Sequence, residues 1–241
     1  MTEPLILSAS SITTWLRCHR QYLYSSVYRV QGGQNLAAAL GVAVHAAAEA
    51  FWKSPTRPQA ALRRAFEAEV VNVPVPYEEP LGGLVVDGER MVGVYIAQVA
   101  PRFTPTLVEQ EFLIDVAEVP GVLLSGTIDA ADENDVRDLK TTSMISRFNP
   151  SSYSLQLNLY GLGYRALTGR APRRLLLDVL TRSGNVPYRE IEVEADVGGT
   201  LDVIGLARDD ILNGDYSPTG ADAGMCKWCS YREICPSAKV D

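Results

Sequence analysis

The sequence has no apolar run approaching the roughly 20 residues that a membrane-spanning helix needs. Its opening stretch, MTEPLILSAS, has neither the basic start nor the long apolar segment of a secretory leader, so a cytoplasmic location and no membrane partner are expected. It has no internal repeat, low-complexity tract or charged tail, which excludes solenoid and linker-like chains. Lysine is scarce, with 18 Arg and 4 Lys making up the 22 basic residues against 29 acids. A net charge of −7 and a pI of about 5.0 argue against a protein that coats nucleic acid through bulk charge, yet allow a local basic groove. Only two histidines occur, His19 and His45, and only four cysteines. In a chain expected to be cytoplasmic, so few cysteines point to metal or redox chemistry instead of a disulfide framework.

What is present fits one large domain, because 241 residues with 46% apolar content can bury a substantial core. LSASSITTWLRCHRQYLYSSVYRV reads as one helix with Ser8 or Ser10 as its N-cap. NLAAALGVAVHAAAEAFW and RPQAALRRAFEAEVV are two more helices, with KSPTRP as a breaker between them. A Pro-rich connection, VNVPVPYEEPLGG, leads to a helix over residues 87–102. The texture then changes to short β-branched runs, TLVEQEFLIDV, GVLLSGTIDAA and NDVRDLKTT, the last two joined through ADEND as a hairpin. PSSYSLQLNLYGLGYRALTG returns to helical period and stops at Gly169. Two strands, RRLLLDVLTR and VPYREIEVEA, a last helix and a Cys-rich tail complete an α/β pattern: a mixed sheet with a helix packed after its third strand.

Residues i and i+2 of a strand share a face, so Asp138 and Lys140 point the same way and Leu139 the other. In the expected hairpin Asp129 lies almost opposite Arg137 and Asp138. Two carboxylates so close repel unless a cation holds them together, and Mg²⁺ or Mn²⁺ suits oxygen ligands while leaving positions for water and phosphate. An acid–x–Lys pair alone is equally the pattern of a cross-strand ion pair. His45, on an Ala-rich helix, is either a core imidazole bonded to a backbone carbonyl or a third metal ligand. Gln156 and Tyr160, at i and i+4, share one helix face and could meet phosphate or base. Glu109 and Glu111 lie on the strand before GTID and are expected to serve the sheet.

Cys226, Cys229 and Cys235 crowd the tail, and Cys18 is the remaining thiol. Four thiolates suit either zinc or a [4Fe–4S] cluster, and spacing leaves both open. Either would close a loop of about 200 residues.

Read in order, SASSITTWLRCHRQY, GVAVH, GTID, DLK, QLNLY and CKWCSYREIC resemble the RecB-like branch of the PD-(D/E)XK nuclease superfamily in its iron–sulfur-containing form. Small stand-alone exonucleases of this type include CRISPR-associated adaptation nucleases and phage-encoded copies, and the AddB nuclease domain is related. The resemblance implies a restriction-endonuclease-like core. It also implies Mg²⁺ or Mn²⁺ on His45, Asp129, Asp138 and the Leu139 carbonyl, and Lys140 as the catalytic lysine. Gln156 and Tyr160 would face DNA, and a [4Fe–4S] cluster would sit on Cys18, Cys226, Cys229 and Cys235. It implies a single nuclease domain over 1–241, with a helical subdomain over about 8–103, a core over about 104–213 and a tail over 214–241 joined to Cys18 through the cluster. The implied activity is exonucleolytic hydrolysis of single-stranded DNA or duplex ends, in recombination, repair or end processing. Two positions depart from the usual pattern: His19 follows the first cysteine where proline is common, and Asp138 stands where glutamate is the alternative. A non-catalytic iron–sulfur DNA-binding or assembly subunit is the competing reading, and a zinc-stapled binding module a third. Arg17, Arg20, Arg173 and Arg174 are candidates to line a DNA channel.

Overall fold

The computed structural model describes residues 3–53, 58–77, 79–183 and 185–239. The chain divides into two compact units: Gln34–Glu111 with Thr127–Ala195, and Met1–Gly33 with Phe112–Gly126 and Asp196–Asp241.

The first of these units begins with three helices, α3 (Leu36–Lys53), α4 (Pro58–Val70) and α5 (Leu81–Val94). Ala39, Leu40, Ala43, Val44 and Ala47 make a buried stripe along α3 at helical spacing. That stripe packs with Leu62 of α4 and with Leu84 and Met91 of α5 into one core, which also takes in Leu139 and Leu180 from the sheet. α5 starts and ends earlier than the 87–102 expected, and a π turn and a 3-10 turn carry the chain on to Arg102. Strand β2 (Leu107–Asp115) starts in this unit and β3 (Val122–Ala131) ends in it. β4 (Asp135–Thr142) pairs antiparallel with the end of β3, through Ala130 opposite Arg137 and Ala131 opposite Val136.

A parallel neighbour for β4 requires a crossover, and α6 (Ser154–Thr168) supplies it, ending at Gly169 in the left-handed region. β5 (Arg174–Thr181) then runs parallel to β4 from Asp135 opposite Arg174 to Thr142 opposite Thr181. All of β5 beyond Arg174 is buried, as its unbroken apolar run requires of a strand covered on both faces. β6 (Tyr188–Val193) closes this edge antiparallel to β5.

In the other unit β1 (Leu5–Ser8) runs parallel to the start of β3, Leu5 opposite Val122 through Ser8 opposite Ser125. This strand was not expected; LILS is too short for period-2 alternation to declare itself. Ser8 caps α1 (Ala9–Arg17) and exchanges bonds with Ser11 in a capping box. The single expected helix over this stretch is broken: Cys18 is extended, at φ −170 and ψ 119, before α2 (His19–Tyr22) resumes. Beside the break lies Gly220, in the short helix α8 (Thr219–Asp222) that follows α7 (Val197–Leu212). A Cβ on Gly220 would stand 2.7 Å from the Arg17 carbonyl oxygen and 2.8 Å from Cys18 Cβ, so the tail presses directly on the interruption. The observed architecture is the mixed α/β arrangement read from the sequence, and among the described residues no helix is long and apolar enough to cross a membrane.

Candidate functional site

β3 and β4 stay paired only at their turn end. The next donor along β4, the Leu139 N–H, goes to Asp129 Oδ2 at 2.8 Å instead of to a β3 carbonyl. The strands therefore part at Asp129 and Asp138, and the Asp129 side chain fills the fork. Asp129 Oδ2 also lies 3.4 Å from His45 Nδ1. His45 reaches this point because α3 runs close along β4: a Cβ on Gly41, one helical turn earlier, would meet the Thr141 hydroxyl at 3.4 Å. The neighbouring Leu139 backbone and the Asp138 charge favour the protonated form of the His45 ring.

Asp138 is fully buried, and Lys140 Nζ donates to its Oδ1 at 2.9 Å. The ammonium is also 2.8 Å from Oδ2, but at an angle that makes no hydrogen bond, so Oδ2 is buried without a hydrogen-bond partner among the described residues. Lys140 Nζ also stands 5.1 Å over the Tyr153 ring, which stacks on Phe148. Tyr153, on the 3-10 turn before α6, was not singled out by sequence because no spacing rule links it to a lysine thirteen positions earlier.

The electrostatics describe a site short of positive charge. Burial raises Asp129, against the pull of Lys140 and the Leu139 N–H. Burial and then the Asp129 charge raise Asp138, which one ammonium does not offset. Burial draws Lys140 down, but Asp138 and Asp129 together hold it above its ordinary value. Both members of the Asp138–Lys140 pair thus shift upward, because two carboxylates share one cation. His45 is lowered by burial and by Lys140. These donors fit a divalent cation, whose charge would relieve both carboxylates.

Glu109, expected to serve the sheet, lies beside these residues. Ligand atoms of His45, Glu109 and Asp129 all lie within 4.8 Å of one another. Burial, then Asp129 and Glu49, push its carboxyl up to about 7. Gln156 Nε2 donates to the Tyr160 hydroxyl at 2.7 Å, so these two share a helix face as read, and the Asp129 and Asp138 charges help to raise the Tyr160 phenol. Of the four candidate arginines, Arg174 is paired with Asp135.

In the other unit, Cys18, Cys226, Cys229 and Cys235 line one cavity, with Arg20, Tyr24 and Tyr231 in its wall. All four are free and half-buried. Burial raises the Cys229 thiol and the other three cysteines add to it, while the Tyr231 backbone opposes the shift. Among the described residues no three of these sulfurs lie within 4.8 Å of one another. One tetrahedral zinc at Zn–S of about 2.3 Å would need sulfurs roughly 3.8 Å apart.

The model of the PD-(D/E)XK nuclease superfamily matches residues 6–236. This chain belongs to that superfamily. Its α/β sheet and flanking helices are the restriction-endonuclease-like arrangement of PD-(D/E)XK proteins. Among solved structures, one described as a "Putative exonuclease" from Eubacterium rectale is similar over 98% of this chain and 90% of its own, at a TM-score of 0.69 and 12% identity. SSO0001 is similar over 100% of this chain and 90% of its own, at a TM-score of 0.53 and 16% identity. No curated protein sequence matches the chain. The PD-(D/E)XK core also holds a buried network that sequence reading passed over. Arg137 makes a two-pronged contact with Asp178, at 3.0 and 3.2 Å, and reaches Glu190, while the Tyr188 hydroxyl donates to Asp178 at 2.7 Å. That network ties β4 to β5 and β6 directly behind Asp138.

Proposed function

We propose that the protein is a divalent-metal-dependent DNA exonuclease of the iron–sulfur-containing RecB-like type, acting on single strands or duplex ends in recombination, repair or end processing. The observation that carries this reading is the fork at Asp129 and Asp138, where two buried carboxylates, one imidazole and one lysine meet with an acid oxygen left unbonded. His45, Asp129, Asp138 and the Leu139 carbonyl would hold Mg²⁺ or Mn²⁺, which would supply an acidified water and a polarised phosphoryl oxygen. Lys140 would orient the attacking water and, as an ammonium, balance charge gathering on the phosphate. Tyr153 and Asp138 hold its ammonium in place. Gln156 and Tyr160 would present donors to the DNA backbone, and the exonuclease description of the Eubacterium rectale neighbour agrees with action at ends.

Cys18, Cys226, Cys229 and Cys235 would hold a [4Fe–4S] cluster. Their shared cavity supports one common metal centre on all four thiolates. Its role is that of a staple between the first helices and the tail. Digestion of 5′- and 3′-end-labelled single- and double-stranded DNA with Mn²⁺ or Mg²⁺, by anaerobically purified wild type and Lys140→Ala, tests the activity. Metal-dependent cleavage lost in the variant is expected and reports polarity in the same gel. A wild type that carries iron and sulfide yet cuts none of these substrates would overturn the nuclease reading in favour of an assembly subunit.

A further inference from the structure

α7 ends in a tight cap: the Gly214 N–H, at φ +71, donates to the Ile211 carbonyl, and the Asp215 N–H donates to the Asp210 carbonyl at 2.9 Å. Such a cap brings its two outer residues side by side, and an apolar contact between them is usual. Here both are aspartates. Two like charges are thus gathered at a helix C-terminus, where the free carbonyls already disfavour negative charge. Neither acid is paired with a lysine or arginine among the described residues: Asp210 makes no hydrogen bond or ion pair, and Asp215 meets only Ser217 and His19. His19 completes the group. Its backbone N–H donates to the Thr219 hydroxyl and that of Arg20 to the Ser217 carbonyl, which fixes the start of α2 against this segment. Trp15 stacks on the imidazole, with ring centroids 4.5 Å apart and planes 12° from parallel. The His19 Nδ1 is buried, yet it has no hydrogen-bond partner among the described residues. It stands 3.7 Å from Asp215 Oδ2, too far for a hydrogen bond. Two ligands of one zinc ion, each at about 2.1 Å, are roughly 3.0–3.5 Å apart, so the gap is close to that of donors sharing a cation. Ligand atoms of His19, Asp210 and Asp215 all lie within 4.8 Å of one another.

We propose that His19, Asp210 and Asp215 form a second divalent-cation site, of the zinc class, with water in its open positions. An imidazole nitrogen with two carboxylate oxygens suits Zn²⁺ better than Mg²⁺ or Ca²⁺, which favour all-oxygen sets. The ion would take up the unused Nδ1 lone pair and offset both crowded charges. It would also join the end of α7 to the start of α2, next to Cys18. The site draws on no residue of the fork and no cysteine, so it is independent of the nuclease reading.

The test is equilibrium dialysis of the full, cluster-loaded chain against Zn²⁺, with bound zinc counted by elemental analysis. All chains compared carry His45→Gln, so that the fork offers no competing imidazole. In this background His19→Gln is expected to bind one equivalent of Zn²⁺ fewer than its parent. Asp210→Asn supplies a readout that a purely structural role would not move. Without Zn²⁺ it should melt no lower than the parent, because it removes one of two crowded charges. With Zn²⁺ the parent should gain a melting temperature that Asp210→Asn does not, since a ligand stabilises the state that binds it. Equal Zn²⁺ uptake by His19→Gln and its parent overturns the proposal. An equal rise with Zn²⁺ in Asp210→Asn and the parent does the same. A metal-free Asp210→Asn that melts well below the parent would make the carboxylate a structural partner, and would also overturn it.

Discussion

The two sites are built in opposite ways. Asp129, Asp138 and Lys140 sit within twelve positions of one another on a single hairpin, and the register of that hairpin puts them together before any other element arrives. The four cysteines meet only after the chain has returned from β6 and α7 to its own first helices. The first site is short-range geometry with a costly charge state; the second is chemically ordinary thiols gathered at the cost of closing a loop of about 200 residues. A local site should therefore fail chemically when altered, and a long-range site should fail structurally.

The largest expected effect breaks the second site. Cys229→Ser should abolish iron binding and, if the cluster acts as a cross-link, lower stability by about 4 kcal/mol, the scale for closing a loop of more than a hundred residues. Paired iron assays and calorimetry read both changes; an iron-free variant that melts with wild type would remove the staple. Next, Lys140→Ala should reduce single-turnover cleavage roughly a hundred- to a thousandfold, the cost of one transition-state donor. The variant should still fold, because Asp138, already raised, can take up a proton when its cation goes. Its circular dichroism spectrum checks this, and loss of secondary structure would contradict the purely chemical failure expected of a local site.

A third effect sharpens the contrast through pH. The Glu109 carboxyl is raised from 4.5 to about 7 in the folded chain. Between those values the folded state binds more protons than the unfolded, so its stabilising contribution is present below pH 4.5 and is lost as pH rises through about 7. Asp129 and Asp138, also raised, act in the same direction. The metal-free melting temperature should accordingly fall from pH 5 to pH 8, and saturating Mn²⁺, which needs the deprotonated ligands, should reverse the trend. A metal-free melting temperature that rises over this range would show that burial does not govern these acids. The smallest effect is local in the other unit: Ser8→Ala removes the capping box of α1 and should cost about 1 kcal/mol in thermal unfolding.

The same contrast explains what could be read from the sequence. Strands β3 and β4, the face shared by Asp138 and Lys140, and the pairing of Gln156 with Tyr160 all follow from periods of 2 and 3.6, which operate over a few residues. Convergence of Cys18 with the tail carries no local signal; only the order of several motifs suggested it. Glu109 escaped because its direction depends on one backbone dihedral that reverses the alternation around it. The break at Cys18 escaped because the local helical pattern continues across it, with no proline to mark it. Tyr153 and the Arg137–Asp178–Glu190 network escaped because they are contacts across elements, with no spacing rule to announce them.

The Leu139 N–H bonded to the Asp129 carboxylate has a practical consequence for anyone seeking a trapped substrate complex. That carboxylate acts as a wedge, since it supplies the acceptor that β3's backbone withholds from β4. Asparagine keeps a carbonyl oxygen at the same reach, so Asp129→Asn preserves the wedge while surrendering the charge. Alanine removes both and leaves the two strands able to zip together across the gap. An Asp129→Ala chain would thus report on a closed sheet, and under the proposed function the asparagine form is the one in which to look for DNA at the fork.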